Sequence, residues 1–218
     1  MNDFLTYIPI ILMGVWNTLI LSTVSFLLAT LLGLLMAFIE VFSPKPVSTI
    51  VDWVTRVLRG IPLLLALLLV FYGLPRAGVA LPNIASAIIG ITIVDSGYQA
   101  QLFRGAIEGV GGRQLEAAYS IGLSKWGAFR YVIVPQAFRA ALPGWLNEFT
   151  IVLKDSSIAY AIGVTELFTQ AVHVAQVILD YLQPLILVSI VYFSMCYPLS
   201  IVSERARRKL LAMGVAAV

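Results

Sequence analysis

Residues 116–143, EAAYSIGLSKWGAFRYVIVPQAFRAALP from Glu116 to Pro143, form a charged, glycine-punctuated stretch inside an otherwise membrane-like chain. Gln114 to Ile121 is built of tolerable helix formers, and Gly122 lets a helix end in a left-handed turn. Ser124 is placed to cap a second short helix. Leu123, Trp126 and Phe129 would give that helix an apolar face, with Lys125 and Arg130 pointing elsewhere. A segment carrying Arg113, Glu116, Lys125, Arg130 and Arg139 between apolar spans belongs in the aqueous phase. A short exposed helix of this kind suits insertion into a partner's groove. The plainer reading, a solvated connector, explains the charges but not the apolar face.

Outside this stretch, composition sets the frame. The chain has 218 residues, of which 60% are hydrophobic and 11% charged, with a mean hydropathy of +0.96. These values lie far from soluble globular proteins and within the polytopic membrane range. The expectation is an all-α polytopic membrane protein, a single integral membrane domain over residues 1–218, with too little polar sequence for a separate enzyme domain. Cys196, the single cysteine, falls in an apolar run, which excludes a disulfide or cysteine metal cluster and leaves it a packing role.

Five transmembrane helices are predicted. They run from Ile8 to Phe38, around Leu63 to Tyr72, from Ile84 to Phe103, from after Pro143 to about Ala161, and from Leu182 to Val202. The first is long enough to tilt or extend beyond the bilayer. Ser43 to Thr49 and Leu74 to Pro82 read as Pro- and Gly-rich loops. No basic segment or small-residue cleavage site precedes the first span, so it is expected to be a retained helix.

Charge sets the expected orientation. Of the 14 lysines and arginines, Lys45, Arg56, Arg59, Arg104, Arg113, Lys125, Arg130, Arg139, Arg205, Arg207, Arg208 and Lys209 fall on one side, Arg76 alone on the other, and Lys154 in the fourth span. This places the loop at about 110–139 and the C-terminus in the cytoplasm and the N-terminus outside, in agreement with the start at Asn2-Asp3. The Arg205 to Lys209 run is expected to anchor the last helix at anionic lipid headgroups. Because the basic residues flank spans, nucleic acid is not an expected partner.

No catalytic constellation emerges. His173 stands in a predicted outer loop without a second ligand at metal-binding spacing, and reads as solvated. Gly109, Gly111 and Gly112 lack the Gly-Lys-Ser/Thr ending and preceding strand of a phosphate loop, so ATP binds elsewhere. Polar groups within spans are costly enough to suggest a solute pathway, and Asp95, Gln101, Glu148 and Asp155 are the candidates. Lys154 beside Asp155 and Arg104 near Gln101 could instead be structural partners.

Glu116-Ala117-Ala118, Gly122 and Val132-Ile133-Val134-Pro135 resemble the cytoplasmic coupling motif of ABC importer membrane subunits, with valines where that family prefers Ile and Leu. The likeness extends over nearly the whole chain. Trp16-Asn17-Thr18-Leu19, Leu58-Arg59-Gly60-Ile61-Pro62-Leu63, Gly97-Tyr98, Arg104-Gly105, Pro135 to Arg139, Leu142-Pro143 and Leu153 to Ser157 look like the polar amino-acid branch of those permeases. The resemblance implies a type I importer fold in a prokaryotic plasma (inner) membrane. It also implies a second permease subunit, two cytoplasmic ATPases that bind ATP and Mg, and an extracytoplasmic amino-acid-binding protein. This chain itself would bind no cofactor. By motif, the family's coupling surface maps onto Glu116, Ala117, Ala118, Gly122, Leu123, Ser124, Lys125 and Trp126, and its amino-acid site onto Asn17, Gln101, Asp155 and Ser156.

Departures from the family bear on the substrate. The branch commonly has Glu where this chain has Gln101, and Thr and Gln where it has Ile61 and Ala66. Asp95 would supply the missing carboxylate if it faces the pathway, so the sign of the preferred side chain stays open. The mechanism expected is that closure of the ATPases pushes on Glu116 to Arg130 and tilts the spans between inward- and outward-open states. The rival from another class is a homo-oligomeric channel or ion-coupled secondary transporter using the intramembrane carboxylates. With five spans and no visible inverted repeat, a complete secondary transporter is disfavoured.

Overall fold

The computed structural model describes residues 4–212, with the side chains of 111–113 excepted. Asn2, Asp3 and the Arg113 side chain, which entered the orientation argument, lie outside the described residues. A 3-10 turn leads into helix α1 (Ile8–Phe42), and then come α2 (Lys45–Gly60), α3 (Leu63–Arg76), α4 (Asn83–Ser120), α5 (Lys125–Ala128), α6 (Val134–Asp155), α7 (Leu167–Ile178) and α8 (Leu182–Ala212). A π-helical turn joins α5 to α6, and a 3-10 segment, Ser156–Ile162, follows α6.

The first helix is the hub, packing on α2, α4, α6 and α7 and most extensively on α4. Its sequence explains this. Gly14, Thr18, Ser22, Ser25, Ala29, Gly33 and Ala37 recur every three or four residues and are all buried. Lipid offers no hydrophobic force between helices, so small residues that let backbones approach supply the packing instead. At Gly33 a Cβ would lie 2.8 Å from the Cβ of Gln99 and 2.9 Å from the backbone nitrogen of Ala100. The larger side chains of α1, such as Leu31 and Leu35, face outward, as a lipid-facing surface would.

Phe26 sits in the central core, its ring 4.9 Å from each of Trp145 and Phe149 on α6. Leu67 of α3, Ile91 of α4 and Ile162 of the 3-10 segment close that core. A second core inserts Leu167, Ala171 and Val174 of α7 between Ile11 of α1 and Val188 of α8. Glu166 fixes the start of α7, its carboxylate accepting from the backbone nitrogens of Phe168 (2.8 Å) and Thr169 (2.7 Å) and from the Tyr192 hydroxyl (3.0 Å).

The helical class is as expected, but the five-span count is not confirmed. Two helices, Phe4–Phe42 and Leu182–Ala212, are long and apolar enough to cross a membrane, and two bent pairs bring the total to at most four. One pair is α2 with α3, meeting at 97°, and the other is Lys125–Ile162 with α7, bent by 50°. Pro62 explains the first break, since it holds Ile61 in an extended conformation and denies the helix a backbone donor. The expected third span lies within α4, where Asp95, Gln99 and Gln101 dilute the apolar run.

Three boundaries differ from expectation. Lys45 to Thr49 is the first part of α2 rather than loop, and Leu74 to Arg76 completes α3. The expected fourth span begins earlier, at Val134, with Pro143 inside α6. His173 lies on α7 rather than in a loop, on its exposed side.

Candidate functional site

A cavity of about 390 Å³ opens between the α2–α3 elbow, α4 and α6. Its size is that of a small-molecule site. Asp95 and Tyr98 face it from α4, Glu148 and Asp155 from α6, and Arg59 from the end of α2. Asp95 and Tyr98 are three apart on one helix, and Glu148 and Asp155 seven apart on the other, so each pair shares a face. The elbow is held to α4 by the Tyr98 hydroxyl, which donates to the Arg59 carbonyl at 3.2 Å.

Asp95 is 5% exposed and is positioned by a chain of polar groups through the core. The Trp145 indole on α6 donates to Thr30 Oγ1 on α1 at 3.0 Å. Thr30 donates to Gln99 Oε1 at 2.7 Å, and Gln99 Nε2 donates to Asp95 Oδ2 at 2.7 Å. Gln99 itself is fully buried. A buried amide with its groups satisfied is a rigid support, and this one fixes the carboxylate from behind while leaving its other face toward the cavity.

Of the residues expected on a solute pathway, Asp95, Glu148 and Asp155 share this cavity. Gln101 is exposed on α4, three residues beyond Tyr98. Ser156 is fully buried, its hydroxyl donating back to the Leu153 carbonyl at 2.7 Å. Asn17 stands apart on α1, its amide donating to the Thr165 carbonyl at 2.8 Å. The structural partners weighed for these groups do not engage. Arg104 is taken by Glu40, Asp52 and Glu108, and Lys154 makes no ion pair with Asp155 among the described residues. Sequence reasoning left Arg59 and Tyr98 out of the site. The signal for both was the Gly60-Ile61-Pro62 break, which turns the end of α2 back onto α4.

The second site is the turn between α4 and α5. Gly122 has φ of +81°, Gly122 N donates to the Tyr119 carbonyl at 2.9 Å, and Leu123 N donates to the Ala118 carbonyl at 3.1 Å. This pair of bonds is a Schellman close, and it places Leu123 against the helix it ends. Ser124 caps α5, its hydroxyl accepting from Gly127 N at 3.2 Å. Glu116, Ala117, Gly122, Ser124, Lys125 and Trp126 are exposed, Leu123 is half-buried and Ala118 is buried. Phe129 turns inward, 4.3 Å from the Phe42 ring, and clamps the short helix to α1.

The family described as binding-protein-dependent transport system inner membrane component matches residues 29–211. The probable amino-acid permease protein YxeN of Bacillus subtilis (strain 168) is 32% identical over 203 residues, covering 92% of this chain and 91% of that protein. The arginine transport system permease protein ArtQ of the same strain is 29% identical, with 93% of each chain covered. The probable amino-acid ABC transporter permease protein PatM of Vibrio harveyi is 32% identical, with 96% and 95% covered. Among solved structures, an amino acid ABC transporter crystallised with histidines superposes with a TM-score of 0.88 at 35% identity, covering 96% of this chain and 100% of that one. The inward-facing methionine ABC transporter MetNI matches with a TM-score of 0.75 at 20% identity over 96% of this chain and 99% of that one, a likeness of fold alone.

Proposed function

This chain belongs to the family of binding-protein-dependent transport system inner membrane components, and from that membership we infer that it is the permease subunit of an ATP-driven importer of polar amino acids. The observation that carries the reading is its full-length likeness to amino-acid permeases in both sequence and fold. The same likeness favours it over a homo-oligomeric channel or ion-coupled carrier.

Two cytoplasmic ATPases, which bind ATP and Mg, dock on the Glu116 to Trp126 surface. A second permease subunit, identical or homologous, completes the pathway, and an extracytoplasmic binding protein delivers the amino acid. The N-terminus is outside and the C-terminus cytoplasmic, in a prokaryotic inner membrane. Asp95 and Asp155 meet the solute in the cavity, Gln101 faces the second subunit at its rim, and Asn17 and Ser156 support the pathway walls. ATP closure moves the α4–α5 turn, and the unbroken α4 carries that movement to Asp95 and Tyr98.

Reconstitution into liposomes with the co-purifying subunits and the binding protein tests this reading. Uptake of a labelled polar amino acid should require internal ATP and persist when ion gradients are collapsed. Uptake driven by an ion gradient without ATP would reject it.

A further inference from the structure

The charges around the cavity are unequal, with Asp95, Glu148 and Asp155 set against Arg59. No group of three Asp, Glu, His or Cys side chains among the described residues is arranged to hold a metal ion. Carboxylates spread around a space of about 390 Å³ suit an elongated organic cation. Arg59 supplies an independent pointer to a ligand. It is the one cation among the residues that line the same space, and so the one group there that suits an anionic end of a ligand.

We propose that Arg59 takes the α-carboxylate of the transported amino acid, and that Asp95, Glu148 and Asp155 take its α-ammonium and a positively charged side chain, so that the substrates are basic amino acids. The inference rests on the importer reading above. A zwitterion uses Arg59 and one carboxylate, leaving two carboxylates to face the side chain. A cationic side chain pairs with them, a neutral one leaves buried charge unpaired, and an anionic one meets like charge. Asp95 thereby provides, from within the same helix, the carboxylate that Gln101 lacks. Held by Gln99 at 2.7 Å, it is a specificity-determining residue.

The test is equilibrium binding of labelled L-arginine, L-glutamine and L-glutamate to the chain purified with its co-purifying subunits, without added binding protein. Wild type should bind arginine best. Asp95→Asn and Glu148→Gln should each weaken arginine by about tenfold or more while changing glutamine less. Arg59→Gln should weaken every amino acid that binds, because the α-carboxylate is common to all. Glutamine or glutamate binding ahead of arginine in wild type overturns the assignment even if a variant fails to fold. So does an equal effect of Asp95→Asn on arginine and glutamine. Either result leaves the importer reading standing if ATP-driven amino-acid uptake is intact. Absence of binding of all three, together with absence of such uptake, removes both.

Discussion

Arg104 on α4 donates from Nη1 to Glu40 Oε2 on α1 at 3.1 Å, and the Glu40 side chain is only 2% exposed. The same nitrogen reaches Asp52 Oδ1 on α2 at 2.8 Å, and Thr55 of α2 donates to the other oxygen of Glu40 at 2.9 Å. One guanidinium therefore locks three helices at the root of the elbow that forms the cavity wall.

Replacing Arg104 with Gln should leave Glu40 buried with Thr55 alone. The expected loss of stability is about 1–3 kcal/mol, less than for a fully buried pair because Arg104 is 28% exposed. Thermal denaturation in detergent, with proteolysis read within α2, measures it. Adding Glu40→Gln should recover part of the loss, since it removes the stranded charge. An unchanged melting point and cleavage pattern in Arg104→Gln would show that the elbow is held by other contacts.

Gly33→Val tests the close approach of α1 to α4. The new Cβ would stand 2.8 Å from Gln99 Cβ and 2.9 Å from the Ala100 backbone nitrogen, so the helices must separate. An expected cost of about 1–3 kcal/mol follows from overpacking. Separation also pulls Thr30 away from Gln99 and loosens Asp95, so solute affinity should fall with stability. Gly109→Ala is the control, since nothing lies within 4 Å of its Cβ and it sits inside α4, so it should melt no lower than wild type and slightly higher by helix propensity.

Asp155→Ala should weaken transport or alter its selectivity without loss of assembly. Asp155 lines the cavity and makes no ion pair among the described residues, so removing it strands no partner. Uptake kinetics across several amino acids, beside gel filtration of the complex, decide the matter. Unchanged kinetics for all of them would make Asp155 a structural residue.

The turn between α4 and α5 was legible because local chemistry fixes it. Gly122 in the left-handed region, the Ser124 cap and the helix before them follow from residues adjacent in sequence. Helix α2 was less legible since Pro44 and Pro46 read as loop, yet Pro46 sits in the first turn, where proline is tolerated. Val47, Ile50, Val54, Val57 and Leu58 already carried a helical spacing there. Helix α7 was hidden likewise behind His173, although Leu167, Ala171 and Val174 mark its inner face. The cavity depends on contacts between distant segments. That Asp95 and Asp155 share it could be suspected from their cost in a membrane, but the Trp145–Thr30–Gln99 support behind Asp95 spans 115 residues and has no sequence signature.

Docking of an ATPase on the α4–α5 turn, as proposed above, is open to a direct test. Gly122 has φ of +81° and a Cβ there would meet nothing within 4 Å, so Asp at this position clashes with nothing in the chain and costs about 1–2 kcal/mol of left-handed backbone strain, while a partner seated on the turn would meet the new side chain. The decisive measurement is affinity purification of the chain and of its Gly122→Asp variant from native membranes, with identification of what accompanies each. A nucleotide-binding ATPase should accompany the intact chain and be lost from an otherwise folded, membrane-inserted variant. Recovery of both chains without any ATPase, or of equal ATPase with each, would contradict it.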